Sequence, residues 1–224
     1  MKIRVVENVL GANDAAAADN RKLFAEHRVL VVNVMSSPGS GKTRILEQTL
    51  SRLSPDIATA VVVGDICTTN DADRLAAGGT PVVQINTEPF GGDCHLGAHV
   101  VREAISGFDL AALDLILVEN VGNLVCPAEF DIGQDVRCVV LSVAEGEDKP
   151  VKYPLMFRIC DVALVNKIDL LPHLELDRSL VLENIRSIHA DIEIFEVSAR
   201  TGEGLDAWLG WLEARVRSKK AASD

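Results

Sequence analysis

The stretch VLVVNVMSSPGSGKTR, residues 29–44, joins an almost wholly apolar run to a glycine-rich loop that carries a lysine and a threonine. An apolar run of this length is typical of a strand that is buried on both faces. Apart from its first position, the loop follows the phosphate-binding pattern G-x-x-x-x-G-K-[ST], and it lies between a predicted strand and a predicted helix, as that pattern requires. The sequence therefore predicts a nucleotide phosphate site in the residues Gly39, Ser40, Gly41, Lys42, Thr43 and Arg44.

The loop departs from the pattern at its first position, where Ser36 replaces glycine. We expect Ser36 to end the strand, where ordinary backbone angles suffice. Gly39 and Gly41 can adopt backbone angles that aim successive N–H groups at phosphate oxygens, and the helix that follows adds its positive end. Lys42 is predicted to act in catalysis by contacting the β- and γ-phosphates, and the Thr43 hydroxyl is predicted to bind Mg²⁺.

Short β-branched runs alternate with longer helical patterns along the rest of the chain. The predicted strands are Val29–Met35, Thr59–Gly64, Pro81–Asn86, Asp114–Asn120, Val136–Val143, Asp161–Asn166 and Ile192–Val197. The predicted helices are Ala15–His27, Gly41–Leu53, Asn70–Ala77, His95–Ser106, Leu176–Ala190 and Leu205–Ser218. This alternation predicts an α/β fold of the P-loop NTPase class, with a mostly parallel sheet of about seven strands and helices on both faces.

The nucleotide base that the site binds is predicted from NKID, residues 166–169, which follows the apolar run DVALV. A carboxylate at Asp169 can accept two hydrogen bonds, from N1–H and the exocyclic amine of guanine, and adenine lacks that pair of donors. Asn166 would brace the loop, and the stem of Lys167 would lie along the purine face. Ser198 and Ala199, in the SAR tripeptide after the next strand, would contact the guanine O6 through the backbone. A GTP/GDP site is predicted; Asp169 as a helix N-cap is the alternative.

Two more segments at predicted strand ends carry acids. In LILVENVGN, Glu119 and Gly122 occupy the places of the D-x-x-G motif, so Glu119 is predicted to hold Mg²⁺ through water and Gly122 to sense the γ-phosphate. In GDICTTNDADR, Asp65 stands closest to the strand end. We expect Asp65 to orient the attacking water or the Mg²⁺ shell, whereas Asp71 or Asp73 could serve there instead or cap the next helix.

The charge and the apolar runs of the chain limit the kinds of partner that it can bind. The chain has 224 residues and a net charge of -11, and it lacks a basic run, which argues against nucleic-acid binding. No apolar run approaches the ~20 residues that span a bilayer, and the first residues do not read as a secretory signal. We expect a cytoplasmic protein with no membrane partner, in which a GTPase domain, 29–218, lies between an N-terminal extension with a short helix, 1–28, and a frayed tail, 219–224.

The five cysteines are an odd number, which argues against a disulfide framework. Cys138 and Cys160 lie in or beside apolar stretches and are expected to be buried. Three other groups form a candidate metal site: Cys94 and His95 in GGDCHLGAHVV, and Cys126 in GNLVCPAEFD. Two thiolates and an imidazole suit Zn²⁺ or Ni²⁺ and leave a fourth place for water or a second chain. The sequence leaves open whether Cys67 or His99 joins them.

The fragments SSPGSGKT, GDICTTNDADR, CHLGAHVV, VENVGNLVCPAEFD and NKIDLLP together resemble the HypB family, from about Val29 to Leu212. That resemblance implies a GTPase that helps to insert nickel into [NiFe]-hydrogenase. It implies a G-domain that forms a homodimer on binding GTP, with a metal site at the interface made of Cys94, His95 and Cys126. It also implies an accessory nickel-insertion protein and the hydrogenase large subunit as partners.

The chain departs from the family in two places. Some members carry an N-terminal C-x-x-C-G-C site or a His-rich tract, but the residues before Val29 include no cysteine and one histidine, His27. The site at Cys94, His95 and Cys126 is then the main metal candidate. Gly97 stands where the family more often has an acid, so this position offers no carboxylate ligand.

Three alternative functions agree less well with the sequence than a HypB-type nickel GTPase does. A UreG-type urease chaperone carries a C-P-H triplet, whereas Cys126 and Pro127 are not followed by histidine. A GTPase chaperone of B12 enzymes would share the fold but would not require the Cys-His pair. A metal-binding module with a relic nucleotide site is disfavoured by the intact Lys42–Thr43 pair and the NKID motif.

Overall fold

The computed structural model describes residues 9–65, 70–87 and 95–222, except for the side chains of Val9 and Asp65. Within these residues seven strands form one sheet in the order β3-β2-β4-β1-β5-β6-β7, and all neighbouring pairs are parallel. The strands are β1 Leu30–Ser36, β2 Thr59–Asp65, β3 Val82–Asn86, β4 Leu115–Gly122, β5 Val136–Ser142, β6 Val162–Asn166 and β7 Glu193–Val197. The predicted fold class is confirmed, and each predicted strand lies within two residues of the observed one.

The helices are α1 Val9–Glu26, α2 Lys42–Arg52, α3 Asn70–Ala76, α4 Ala98–Ile105, α5 Cys126–Glu129, α6 Lys149–Lys152, α7 Pro154–Ile159, α8 Arg178–Ile188 and α9 Leu205–Ala221. Helices α5, α6 and α7 are not among the helices predicted from the sequence. Each has a proline in its first turn and is at most six residues long. Such short segments cannot show a helical period, so only the proline signalled them.

Alternate residues of the central strands pack on opposite faces of the sheet. On one face, Val32 and Leu117 lie in a core with Ile45 of α2 and Trp208 of α9. On the other face, the core is formed near β4 with helices α1 and α4 and near β6 with helices α7 and α8. Strands covered on both sides are buried throughout, which explains their continuous apolar runs.

Both terminal helices are longer than predicted. α1 begins at Val9, and the buried Asn20 ties it to the body by donating to the carbonyls of Ala98 and Ile132 at 2.8 and 3.0 Å. α9 continues to Ala221, so the expectation of a frayed tail is wrong for residues 219–221. Lys219 and Lys220 bind the carboxylates of Asp135 and Asp114 there, which favours the helical conformation.

Because all strands are parallel, their carboxyl ends meet at one edge of the sheet, where α/β proteins bind ligands. The phosphate loop follows β1 at the centre of the sheet, and NKID and SAR follow β6 and β7. No helix among the described residues is long and apolar enough to cross a membrane.

Candidate nucleotide and metal site

The phosphate loop is closed by two glycines in left-handed backbone conformations. The φ angles are 76° at Gly39 and 98° at Gly41, which are costly for any residue with a side chain. A Cβ at Gly41 would lie 2.6 Å from Nδ2 of Asn166, so glycine also lets the guanine-motif loop approach. Ser36 ends β1 with an ordinary φ, as expected, and its hydroxyl accepts a hydrogen bond from the Lys42 ammonium at 2.9 Å.

Thr43 and Glu119 meet at the foot of this loop. The Thr43 hydroxyl donates to Oε1 of Glu119 at 2.7 Å, while Oε2 of the same carboxyl group is buried without a hydrogen-bond partner among the described residues. Burial raises the pKa of Glu119 to about 7, against the opposing effects of the Thr43 hydrogen bond and the Lys42 charge. A hydroxyl beside an unpaired buried carboxyl oxygen suits a hydrated Mg²⁺ ion, so the two residues fit the predicted magnesium site.

We expect Glu119 to give the protein, without metal or nucleotide, a distinctive pH dependence of stability. Between its unfolded pKa of 4.5 and its folded pKa of about 7, the unfolded chain releases the proton and the folded chain keeps it. The free energy of unfolding should therefore fall as pH rises through this window, by up to about 1.4 kcal/mol per pH unit. Urea unfolding titrations in the presence of a chelator should show that the free energy of unfolding of Glu119→Gln rises relative to that of the wild type between pH 5 and 7. The same pH dependence in both proteins would contradict the assignment.

The guanine motif is built onto the phosphate loop. Asn166, which is 1% exposed, donates to the carbonyl of Ser40 at 2.8 Å and accepts from the N–H of Ala199 at 3.1 Å. Lys167 has a left-handed backbone, with φ of 65°, and its ammonium donates to the carbonyl of Gly39 at 2.7 Å. These contacts join three loops that are far apart in sequence. Asn166 thus links the loop after β6 to the phosphate loop and to the loop after β7, and Lys167 reaches the phosphate loop with its ammonium.

Asp169 lies in a separate recess of about 220 Å³, beside the phosphate cleft of about 410 Å³. Its Oδ1 accepts a hydrogen bond from the Ser198 hydroxyl at 2.6 Å, and its Oδ2 lies 3.5 Å from the exposed guanidinium of Arg200. The carboxylate is thereby held in one orientation. The recess is also lined by Gly41, Arg44, Asn166, Lys167 and Ala199, which brings most of the predicted base-binding residues together.

Of the two segments that carry acids at the ends of β2 and β4, the segment after β2 is described only in part. Gly122 ends β4 next to the phosphate loop, where a Cβ would lie 3.2 Å from Cα of Pro38, so glycine permits this approach. Asp65 ends β2, but its side chain and residues 66–69 lie outside the described part, and so does Cys67. Asp71 lies in the first turn of α3 and lines the phosphate cleft.

Glu145 is a residue of the site that the sequence analysis missed. It accepts hydrogen bonds from the hydroxyls of Ser37 and Ser40 in the phosphate loop, at 2.8 Å for Ser40. It also closes a capping box with Ser142 just after β5. The S-x-x-E spacing of that box could have been found in the sequence, but its contact with a loop more than 100 residues away could not.

The candidate metal residues are seen in part, because Cys94 lies outside the described residues. The His95 ring stacks on Phe130 with 3.6 Å between the ring centres. Phe130 directly follows α5, and the half-buried Cys126 begins that helix, so the two predicted fragments are neighbours. The described residues by themselves contain no group of three His, Cys, Asp or Glu side chains that could hold a metal. Cys138 and Cys160 are fully buried, as expected, and burial raises the pKa of both thiols.

Comparison with known proteins places this site in a family. Residues 30–196 match the family described as CobW/HypB/UreG, nucleotide-binding domain. The hydrogenase maturation factor HypB of Azotobacter vinelandii is 48% identical over 94% of this chain and 69% of its own length. The corresponding HypB of Escherichia coli K12 is 47% identical over 95% of this chain and 72% of its own length. The chain belongs to the HypB family.

Solved HypB structures share the whole architecture. HypB from Helicobacter pylori, determined in complex with nickel, aligns with a TM-score of 0.87 at 34% identity and covers 96% of this chain and 99% of its own. HypB from Archaeoglobus fulgidus aligns with a TM-score of 0.84 at 33% identity and covers 92% of this chain and 98% of its own. A nucleotide-binding P-loop domain of the HypB type is therefore established for this chain.

Proposed function

We propose that this chain is a GTP-hydrolysing switch that delivers nickel during the maturation of [NiFe]-hydrogenase in the cytoplasm. The observation that supports the proposal is that the base recess adjoins the phosphate cleft, and that Ser198 holds the Asp169 carboxylate in this recess, where it could accept hydrogen bonds from guanine. The relatives named hydrogenase maturation factor, and the HypB structure with nickel, support the choice of hydrogenase and of nickel as cargo.

Nucleotide binding and hydrolysis are assigned to the residues around the phosphate loop. The loop N–H groups and Lys42 would hold the phosphates, and Asn166, Lys167, Asp169, Ser198 and Ala199 would hold the base. Thr43 and Glu119 would hold Mg²⁺, which supplies charge neutralisation of the phosphates. The unpaired buried oxygen of Glu119 supports its part in this set. Asp65 would orient the attacking water or the shell of the ion, as its place at the end of β2 suggests.

Nickel is assigned to Cys94, His95 and Cys126, and Zn²⁺ would suit the same donors. The stacking of His95 on Phe130 supports a joint site, because it brings the loop before α4 against the segment that begins with Cys126. That segment is four residues from Gly122, so a γ-phosphate that orders Gly122 would move Cys126 as well. A homodimer formed on GTP would double the ligands at the interface, before transfer through an accessory nickel-insertion protein to the hydrogenase large subunit.

We expect nickel and nucleotide to affect each other's binding. If GTP closes the dimer around the metal, nickel must change the affinity for GTP by the same factor by which GTP changes the affinity for nickel. Nickel bound by thiolates absorbs in the near ultraviolet and zinc does not, so nickel titrations of the full chain with GDP and with a non-hydrolysable GTP analogue should give different spectra and midpoints. The mass of the protein should be measured in each state.

Variants of the three candidate metal ligands are compared with a control variant outside the site. Cys94→Ala, Cys126→Ala and His95→Ala should lose the nickel spectrum and the coupling while GTP hydrolysis stays nearly intact. His27→Ala, which removes an exposed histidine outside the site, should change neither. Equal nickel binding with the same spectrum in both nucleotide states would rule out the switch, and normal nickel binding by both cysteine variants would rule out the site.

A further inference from the structure

The phosphate cleft is lined by a cation at the end of the GDICTTNDADR segment, for which the sequence motifs predict no role. Arg74, on α3, lines the cleft together with Lys42, Thr43 and Glu119. It lies outside the phosphate loop and outside the guanine motif. The cleft must accept a nucleoside triphosphate, whose charge is largest at its terminal phosphate, so each cation on its wall bears on binding and on the transition state.

The guanidinium of Arg74 is held beside the cleft by a carboxylate of the phosphate-loop helix. Its Nε and one terminal nitrogen bind the two oxygens of Glu47 at 2.8 and 3.0 Å, and its other nitrogen binds Asp71 at 3.1 Å. Glu47 follows Thr43 by four residues on α2, so the two side chains lie on the same face, one turn apart. The ion pair thus holds Arg74 against the same helix that carries Thr43, the predicted magnesium ligand.

Glu47 accepts hydrogen bonds from two arginines at once. Arg44 also donates to its Oε2, at 2.8 Å, and although burial acts to raise the pKa of Glu47, the hydrogen bonds from both arginines hold it below its usual value. Because Arg44 can keep Glu47 paired, Arg74 can leave without stranding a buried charge. Arg74 is also about half exposed, and exposed ion pairs are weak.

Arg74 lines the same cleft as Glu119, and it is not among the residues that line the base recess. Arg44, by contrast, extends along the wall of the base recess as well as the cleft. Of the two arginines on Glu47, Arg74 is therefore the one placed for the terminal phosphate.

We propose that Arg74 is a phosphate-contacting residue, which transfers from Glu47 to the terminal phosphate of bound GTP and stabilises the transition state from within the same chain. The inference rests on the proposed GTP hydrolysis. In that reaction the oxygen of water bonds to the terminal phosphorus, the bond from phosphorus to the bridging oxygen of GDP breaks, and the water proton passes to the phosphate product. Arg74 transfers no proton; it neutralises charge on the phosphoryl oxygens.

The test compares GDP with a non-hydrolysable GTP analogue, both with Mg²⁺, on the full chain. Arg74→Ala should weaken binding of the analogue about 10-fold, leave GDP within about twofold, and slow single-turnover hydrolysis about 100-fold. Arg74→Lys keeps the positive charge but lacks the planar guanidinium with its paired donors. Compared with Arg74→Ala, it should therefore recover much of the affinity for the analogue but little of the hydrolysis rate. Arg217→Ala, which removes an exposed arginine paired with Glu213 on α9, should match the wild type.

Glu47→Gln separates a contact with phosphate from a purely structural ion pair. If Arg74 only fastens α3 to α2, removing either partner should have the same effect, seen as equal losses for GDP and the analogue. The proposal expects opposite effects, with hydrolysis in Glu47→Gln as fast as in the wild type or faster. Like effects of Arg74→Ala and Glu47→Gln would overturn it, as would equal effects of Arg74→Ala on GDP and the analogue. If the wild-type protein shows no preference for guanine nucleotides over other nucleotides, the proposed function itself is refuted.

Discussion

Replacing Asp169 by asparagine should lower GTP affinity about 30- to 1000-fold. Oδ1 of Asp169 is held by the Ser198 hydroxyl at 2.6 Å, and an asparagine can keep that contact with its own oxygen. Its NH₂ group then stands where Oδ2 was and faces the N–H donors of guanine. A lost charge-assisted hydrogen bond together with an unpaired buried donor costs roughly 2–4 kcal/mol.

The same substitution should improve the binding of xanthosine triphosphate, which presents an acceptor where guanine has its amine. Fluorescence titrations with both nucleotides measure the exchange of preference. Asp206→Asn is the matched control, because Asp206 is an aspartate on α9 whose side chain is 95% exposed. GTP binding as tight in Asp169→Asn as in the wild type would show that the recess does not bind guanine.

Replacing Lys42 by alanine should abolish tight binding of both GTP and GDP and reduce hydrolysis by at least about 100-fold. Lys42 is 9% exposed at the start of α2, and its ammonium lies 2.9 Å from the Ser36 hydroxyl. A largely desolvated cation interacts with phosphate more strongly than an exposed one, because little water screens it. The loss should include GDP, in contrast to Arg74→Ala.

Nucleotide titration and single-turnover hydrolysis measure this effect, with Lys152→Ala as the control. Lys152 is 61% exposed and pairs with Asp148 on α6, so its removal should leave both measurements unchanged. The wild type should be slow, well below about 10 per second, as expected of a GTPase that acts as a switch. GDP affinity in Lys42→Ala equal to that of the wild type would place the phosphates elsewhere.

The strands could be predicted to within two residues because their signals are local. Apolar runs such as LVVNVM marked strands buried on both faces, and the glycines of the phosphate loop marked the turn between β1 and α2. The errors lie at ends and in short elements. The predicted end of α9, Ser218, falls short of the observed one, because the ion pairs that Lys219 and Lys220 make with distant aspartates leave no local pattern.

The sequence by itself determined the parallel sheet, through the alternation of strands and helices, and it determined the phosphate loop, the candidate guanine contacts and the candidate metal ligands, through short motifs. Only the tertiary structure decided how these parts are held. Glu145 braces Ser37 across 108 positions of the chain, Glu47 holds Arg74, and Phe130 stacks on His95. Such contacts depend on which strand ends lie side by side, and that follows from the strand order of the sheet, which no short stretch of sequence specifies.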